Sequence, residues 1–201
     1  MKVLVACEYS GTVRDAFIAK GHEATSCDLL PTDAAGPHYQ GDVFDILSQG
    51  WDLMIAHPPC TYLSVSGMHW TSRGLRDPQL TEDALDFVRK LLNADIPKIA
   101  LENPISVISS RIVKPTQTIQ PYEYGDDASK KTCLWLKNLP QLKPTSLIAP
   151  RQVLHKGKLV YRYGNQTDSG QNKLPPSEHR WKDRSKTFQG IADAMASQWS
   201  N

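Results

Sequence analysis

Residues 2–21, KVLVACEYSGTVRDAFIAKG, set the frame for the chain. Lys2–Cys7 is a short apolar run with two valines, which reads as a buried strand. Gly11 then marks a turn, and Thr12–Lys20 (TVRDAFIAK) mixes apolar and charged residues as an amphipathic helix does. Gly21 stops that helix, because glycine enters the left-handed conformation past a helix end at little steric cost.

The same alternation continues outward. His22–Asp28 (HEATSCD) reads as a second strand ending in an acid, and Asp42–Leu47 opens after a further turn. Trp51–Ala56 (WDLMIA) is a strand that runs into HPPCTYLS. Thr81–Leu92 (TEDALDFVRKLL) is a helix with Thr81 as its expected cap. Its Ala84, Leu85, Val88, Leu91 and Leu92 form one apolar stripe. Pro97–Leu101 (PKIAL) is another strand, ending at Glu102-Asn103-Pro104. Strands alternating with helices predict an α/β fold, a mostly parallel sheet with helices on both faces. Such sheets take ligands beyond the carboxyl ends of their strands. Gly11, Asp28, Asp42, Cys60 and Glu102 all fall at or just past those ends.

A chain of 201 residues with 40% hydrophobic content fits one domain, with a small appendage at most. The formal charge of +2 and a pI near 8.3 permit nucleic-acid contact without demanding it. Met1-Lys2 leads directly into the first strand, so no signal peptide is expected. No apolar run approaches the roughly 20 residues of a membrane span. The four cysteines, Cys7, Cys27, Cys60 and Cys133, form no CxxC. They are expected to be free thiols in a reducing, cytoplasmic setting, with no metal site.

After Pro140 the pattern changes. Pro144, Pro150, Pro175 and Pro176 punctuate a polar stretch that carries the basic run Arg180–Lys186 (RWKDRSK). A hairpin is expected around His155-Lys156-Gly157, and Gln189–Trp199 reads as a final helix. The chain therefore divides into a core at 1–140, a short basic and aromatic segment at 141–185, and a returning helix at 186–201.

Several residues admit two readings. Gly11 in CEYSG lets backbone amides approach a cofactor, or simply makes a turn. The absence of GxGxxG and of GxxxxGK[ST] argues against nicotinamide chemistry and P-loop hydrolysis. Asp28 suits ribose hydroxyls, or a cap. Asp42 suits an adenine amino group, or the cap of a helix at Val43–Leu47. Cys60 is a small buried residue, or a nucleophile held by two prolines that restrict its loop. A free thiol is only a few per cent ionised at neutral pH, so a nucleophilic Cys60 needs a nearby cation or helix N-terminus. Glu102, flanked by apolar and stiff residues, is expected to be partly buried with a raised pKa, able to grip a ring nitrogen.

HPPCTYLSVSG and LENP, in that order, resemble the C5-cytosine DNA methyltransferases, which carry a Pro-Pro-Cys nucleophile loop and a Glu-Asn pair ending the next core strand. Pro104 replaces that family's usual valine. VACEYSGTVRDAF stands where the cofactor loop would be, with Tyr9 and Thr12 at places where glycine is common. YGDDASKKTCLW is similar to a conserved basic segment of that family, with Tyr124-Gly125 retained and Lys130 at its first arginine. Ala128 and Thr132 replace its glutamine and second arginine. QGIADAMASQW is similar to its last helix.

The resemblance implies a Rossmann-like S-adenosylmethionine-dependent methyltransferase fold. It implies S-adenosylmethionine held by Gly11, Asp28, Asp42 and Pro58. It also implies Cys60 attacking C6 of a pyrimidine, with Glu102 on N3 and the exocyclic amino group. Pro59, Ser64, Asn103 and Lys130 fall on the substrate side. The family's large target-recognition domain is reduced here to about residues 141–185. There, Lys156, Lys158, Arg162, Arg180, Lys182, Arg184 and Lys186 interleave with Tyr161, Tyr163 and Trp181. That run is either a nucleic-acid contact or a solvated face.

Three readings follow: C5 methylation of cytosine in DNA, C5 methylation of a free pyrimidine nucleotide, and a non-catalytic nucleic-acid-binding or inhibitory protein on the same scaffold. DNA or a nucleotide is the expected partner, with no membrane and room for a partner subunit that supplies recognition.

Overall fold

β1 (Lys2–Ala6), β2 (Glu23–Asp28), β3 (His38–Gln40), β4 (Leu53–Ala56), β5 (Lys98–Pro104), β6 (Gln117–Ile119) and β7 (Thr132–Lys137) form one sheet of seven strands. They are seen in a computed structural model that describes residues 1–178 and 180–200. The strand order is β3-β2-β1-β4-β5-β7-β6. β1 pairs in parallel with both β2 and β4, β2 with β3, and β4 with β5. Only β7 runs against its neighbours, β5 and β6. The order reverses between β1 and β4, and such a switch point opens a crevice at the carboxyl edge.

Successive residues of a strand face opposite sides, so a strand covered on both faces is apolar throughout. In β1, Val3 and Val5 enter one core cluster while Leu4 and Ala6 enter the other. β4 repeats this, with Leu53 and Ile55 on the first side and Met54 and Ala56 on the second. The first side is covered by α1 (Thr12–Ala19) and, from the far end of the chain, α6 (Gln189–Gln198). Phe17 and Val13 of α1 share that core with Ile191, Ala192 and Met195 of α6. The second side takes the stripe Leu85, Val88 and Leu91 of α3 (Gln79–Leu92). The stripe is buried as its spacing predicts.

Two sequence expectations are corrected at element ends. Thr81 is not the cap of α3. The Asp77 carboxylate accepts from the Gln79 amide at 2.9 Å, and the helix starts there behind Pro78. Thr81 is instead buried, its hydroxyl donating to the Tyr62 carbonyl. β5 runs past Leu101 through Asn103 and Pro104, because β7 pairs with it as far as Thr132 opposite Pro104. The sheet is also mixed at that edge, since the β7 segment returns antiparallel.

α2 (Val65–Ser72) and α4 (Ile108–Arg111) lie between the core strands. Beyond them, β8 (Arg151–His155) and β9 (Lys158–Arg162) form the expected hairpin as a separate two-stranded sheet. Lys156 and Gly157 both have positive φ, 50° and 74°, as a two-residue turn between twisted strands requires. A short helix, α5 (Arg180–Ser185), precedes α6. The four cysteines are free. Among the described residues, no helix is long and apolar enough to cross a membrane.

Candidate active site

The chain leaves β1 through Cys7, whose φ of 59° turns it sharply at the carboxyl edge. Glu8 then folds back under the loop and is almost fully buried. Its Oε1 accepts from the Val13 amide at 2.7 Å and from the Ser10 hydroxyl at 3.2 Å, and its Oε2 accepts from the Arg14 amide at 3.2 Å. A carboxylate there satisfies orphan amides and complements the helix dipole, which Gly11 at the cap position cannot do. Arg14 is fully buried, donating to Asp15, Ser26 and Thr32 and to the carbonyls of Ala34, Ala35 and Pro37. It thereby holds the β2–β3 connection. A Cβ on Gly11 would stand 2.4 Å from Arg14 Nη2, and one on Gly36 2.7 Å from its Cζ. The observed reason for glycine at position 11 is therefore the guanidinium behind it.

Asp28 and Asp42 sit at the ends of β2 and β3, and each makes a local cap. Asp28 Oδ1 accepts from the Leu30 amide at 2.9 Å, and Asp42 Oδ1 from the Phe44 amide at 3.0 Å. Both face one neighbour: burial pushes the Cys7 thiol up, and Asp28, Cys27 and Asp42 add to that rise. The carboxyl edge of β1–β3 is thus acidic. α5 closes over it. The Tyr9 hydroxyl donates to the Lys182 carbonyl at 2.7 Å and lies 3.2 Å from Ser185 Oγ. Lys182 and Lys186 reach Asp33 at 3.8 and 3.2 Å.

Across the switch point, the His57 amide extends the β1 ladder by donating to the Ala6 carbonyl at 2.9 Å. Pro58 is buried, whereas Pro59 and Cys60 emerge at the surface. Asn103, buried in β5, donates from Nδ2 to the Pro58 carbonyl at 2.8 Å and so pins the loop to the neighbouring strand. The Ser64 amide donates to the Cys60 carbonyl, and the Ser64 hydroxyl caps α2 by accepting from the Gly67 amide at 3.2 Å. Asn103 and Ser64 therefore build the loop itself.

His57 Nδ1 lies 3.0 Å from Glu102 Oε2, with the two side chains only 8% and 12% exposed. Burial alone raises the Glu102 carboxyl. The hydrogen bond with His57 and the charges of Lys130 and His57 outweigh it and hold the group below the ordinary carboxylate value. The expected raised pKa is thus corrected, because its environment supplies two basic side chains. At Cys60 the balance goes the other way. Crowding around the thiol and the Glu102 carboxylate push it up, against the pull of Lys130, a backbone amide and Arg184. These cations face the thiol without reversing that rise.

Lys130 ties the two halves of the edge together. It donates to the Arg184 carbonyl of α5 at 3.0 Å and lies 5.9 Å from the Phe188 ring. A crevice of about 10 Å³ is lined by Glu102, Lys130, Thr132, Thr187, Phe188 and Ile191. A larger hollow of about 310 Å³, lined by Leu47, Ser48, Gly50, Ala94 and Asp95, lies at the opposite edge, ahead of β4 and β5. It holds none of the chemistry.

The structure brings Cys60, Glu102, Lys130, Pro58 and Pro59 to one mouth, with Gly11, Asp28 and Asp42 across the switch point. Sequence reasoning missed Glu8, Arg14 and His57. A signal existed for Glu8, an acid just ahead of a helix start, and for His57, which heads the proline loop. Nothing local showed their partners. No protein-family model matches the chain, and no curated protein matches it significantly.

Proposed function

We propose that this protein transfers a methyl group from S-adenosylmethionine to C5 of cytosine in DNA, with Cys60 as nucleophile. The observation that carries the reading is the pinning of the Cys60 loop to β5 beside Glu102, through Asn103 to the Pro58 carbonyl and through His57 to Glu102. A nucleophile and a carboxylate converge there on one space, with the cation Lys130 facing both.

The fold and the acidic edge suit the cofactor. S-adenosylmethionine is net cationic and carries hydroxyl and amino donors, and Asp28 and Asp42 offer acceptors beside the switch point. Those two acids would hold its ribose and adenine, with Gly11 and Pro58 lining the space. When bound, the cofactor supplies the methyl group.

The chain's residues do the rest. Pro58 and Pro59 limit the loop's freedom and hold Cys60 in place. The Cys60 Sγ–C6 bond forms, and the C5–C6 electron pair becomes available at C5. Glu102 accepts from the exocyclic amino group and holds the N3 edge, where charge develops. That contact offsets one of the charges that keep the thiol protonated. Loss of the C5 proton and cleavage of Sγ–C6 then restore the ring. A base in duplex DNA is first flipped out, at a cost of a few kcal/mol. Basic residues between Lys156 and Lys186 suit phosphates, which position without specifying sequence.

The test is incubation with labelled cofactor and DNA followed by digestion to nucleosides. 5-Methylcytosine is expected, and DNA carrying 5-fluorocytosine should trap the wild type covalently but not Cys60→Ser. Trapping that survives in Cys60→Ser removes the role given to Cys60.

One observation favours a second reading, a non-catalytic nucleic-acid-binding protein. Glu8 fills the N-terminus of α1 while α5 covers Tyr9, which leaves less room for a cofactor. Calorimetry with S-adenosylhomocysteine separates the two, since only the enzyme binds it.

A further inference from the structure

We propose that the outer face of the β8–β9 hairpin is a stacking surface for unpaired DNA bases, so that the nucleic acid this protein takes is single-stranded rather than duplex. As a statement about substrate it rests on the reading given above; as a statement about binding it stands on the hairpin alone.

Alternate residues of the hairpin point to opposite faces, and cross-strand partners share one. Arg151 pairs with Arg162 and Val153 with Val160 on the inner face, which is half-buried. Gln152 pairs with Tyr161 and Leu154 with Leu159 on the outer face. There Leu154 is 74%, Leu159 59% and Tyr161 57% exposed. Residues 151–163 hold Arg151, Lys156, Lys158 and Arg162 and no acidic residue. An apolar, aromatic face on a wholly basic arm complements a polyanion whose bases are open to contact.

The two arginines are already committed. Arg151 donates to Asp168 Oδ1 and to the Gln166 carbonyl, both at 2.7 Å. Arg162 donates to the carbonyls of Asp168 at 3.2 Å and Tyr161 at 2.8 Å. Reading a duplex groove needs hydrogen-bonding side chains aimed at base edges, arginine above all. The outer face offers Gln152 for that purpose and otherwise presents apolar groups. A duplex hides its base faces in the stack, whereas a single strand exposes them to a tyrosine ring and leucine side chains. Lys156 and Lys158, exposed at the tip, are left for phosphates.

The root of the arm is fixed beside the mouth. The Tyr163 ring stacks on Tyr122 at 4.3 Å, nearly parallel. The Gly164 amide donates to Asp127 Oδ1 at 2.7 Å, and Asn165 exchanges two hydrogen bonds with the Ser129 backbone. Ser129 immediately precedes Lys130, which lines the crevice with Glu102. A strand stacked along the hairpin therefore runs toward the residues that face Cys60.

The test is fluorescence anisotropy on the full chain without cofactor, at matched salt. The probes are a labelled single strand carrying cytosine, its duplex, and an abasic single strand with the same phosphates. Tyr161→Thr removes the ring but keeps a strand-forming residue, and Tyr161→Phe restores the ring. Wild type should bind the single strand about 10-fold or more tighter than the duplex or the abasic strand. Tyr161→Thr should lose that preference, and Tyr161→Phe should recover it. Lys156→Ala should lower the salt slope of single-strand binding by about 0.7. Equal or tighter duplex binding overturns the proposal, as does wild-type single-strand affinity in Tyr161→Thr. Tighter binding of the same sequence as RNA overturns the choice of DNA. A dimer in sedimentation that Leu154→Thr/Leu159→Thr dissolves, with single-strand affinity unchanged, assigns the face to a second copy and overturns it. Vesicles of phosphatidylserine bound through Tyr161, without a single-strand preference, do the same. Single-strand binding through Tyr161 with no 5-methylcytosine formed removes the parent reading and keeps the binding surface. Methylation of duplex DNA that Tyr161→Thr leaves unchanged keeps the parent reading and removes this inference.

Discussion

Gly11 and Arg14 show how one side chain can dictate another's absence. The Arg14 guanidinium is fully buried and tied by six hydrogen-bond partners, so it cannot swing away from a new methyl group. Gly11 also sits at φ 76°, a region that side chains occupy at a cost. Gly11→Ala should therefore destabilise the protein by about 1–3 kcal/mol, read as a lower urea midpoint with unchanged slope. A midpoint equal to wild type would show that Arg14 relaxes freely. Cys60 and Glu102 could be singled out in the sequence because HPPC and LENP are compact strings at strand ends. Glu8 and His57 could not be assigned, because an acid and an imidazole acquire meaning from what they touch. Glu8 meets amides up to six residues on, whereas His57 meets a carboxylate on the adjacent strand.

At the scale of elements, α5 is the piece whose place matters most. The run RWKDRSK reads equally as a solvated face or a nucleic-acid contact, and the fold gives part of it a third role. The α5 backbone caps the Tyr9 hydroxyl and the Lys130 ammonium, while Lys182 and Lys186 approach Asp33. These are mostly surface contacts, and exposed ion pairs contribute little each. The Tyr9 hydrogen bonds are the better-shielded anchor. Tyr9→Phe should cost about 0.5–1.5 kcal/mol locally, and amide hydrogen exchange in 180–186 should speed up while the sheet stays unchanged. Unchanged exchange there would mean that other contacts hold the helix. The hairpin β8–β9 was legible because Lys156-Gly157 supplies a turn between alternating strands. The antiparallel return of β7 was not, since TCLWLK is equally apolar whichever way it runs.

For the whole molecule, stability should be uneven. The seven-stranded sheet is buried on both faces at β1, β4 and β5, whereas β8–β9 is two strands with Leu154, Leu159 and Tyr161 exposed on one side. Two strands alone are marginal in water. Native-state hydrogen exchange in low urea should find β1, β4 and β5 opening only with global unfolding, and β8–β9 opening well below it. A hairpin as protected as β1 would instead require a partner surface that covers it. By itself the sequence determined the alternation of strand and helix, the buried stripe of α3 and the placing of Cys60 on the loop after β4 and of Glu102 toward the end of β5. Those features follow from local periodicity and from residues that punctuate the backbone. Only the tertiary structure decided that His57 grips Glu102, that Glu8 caps α1, that Arg14 forbids a side chain at Gly11, and that α5 lies across the acidic edge. Such pairings depend on which strands become neighbours, and the free energy that selects them is spread over the whole core.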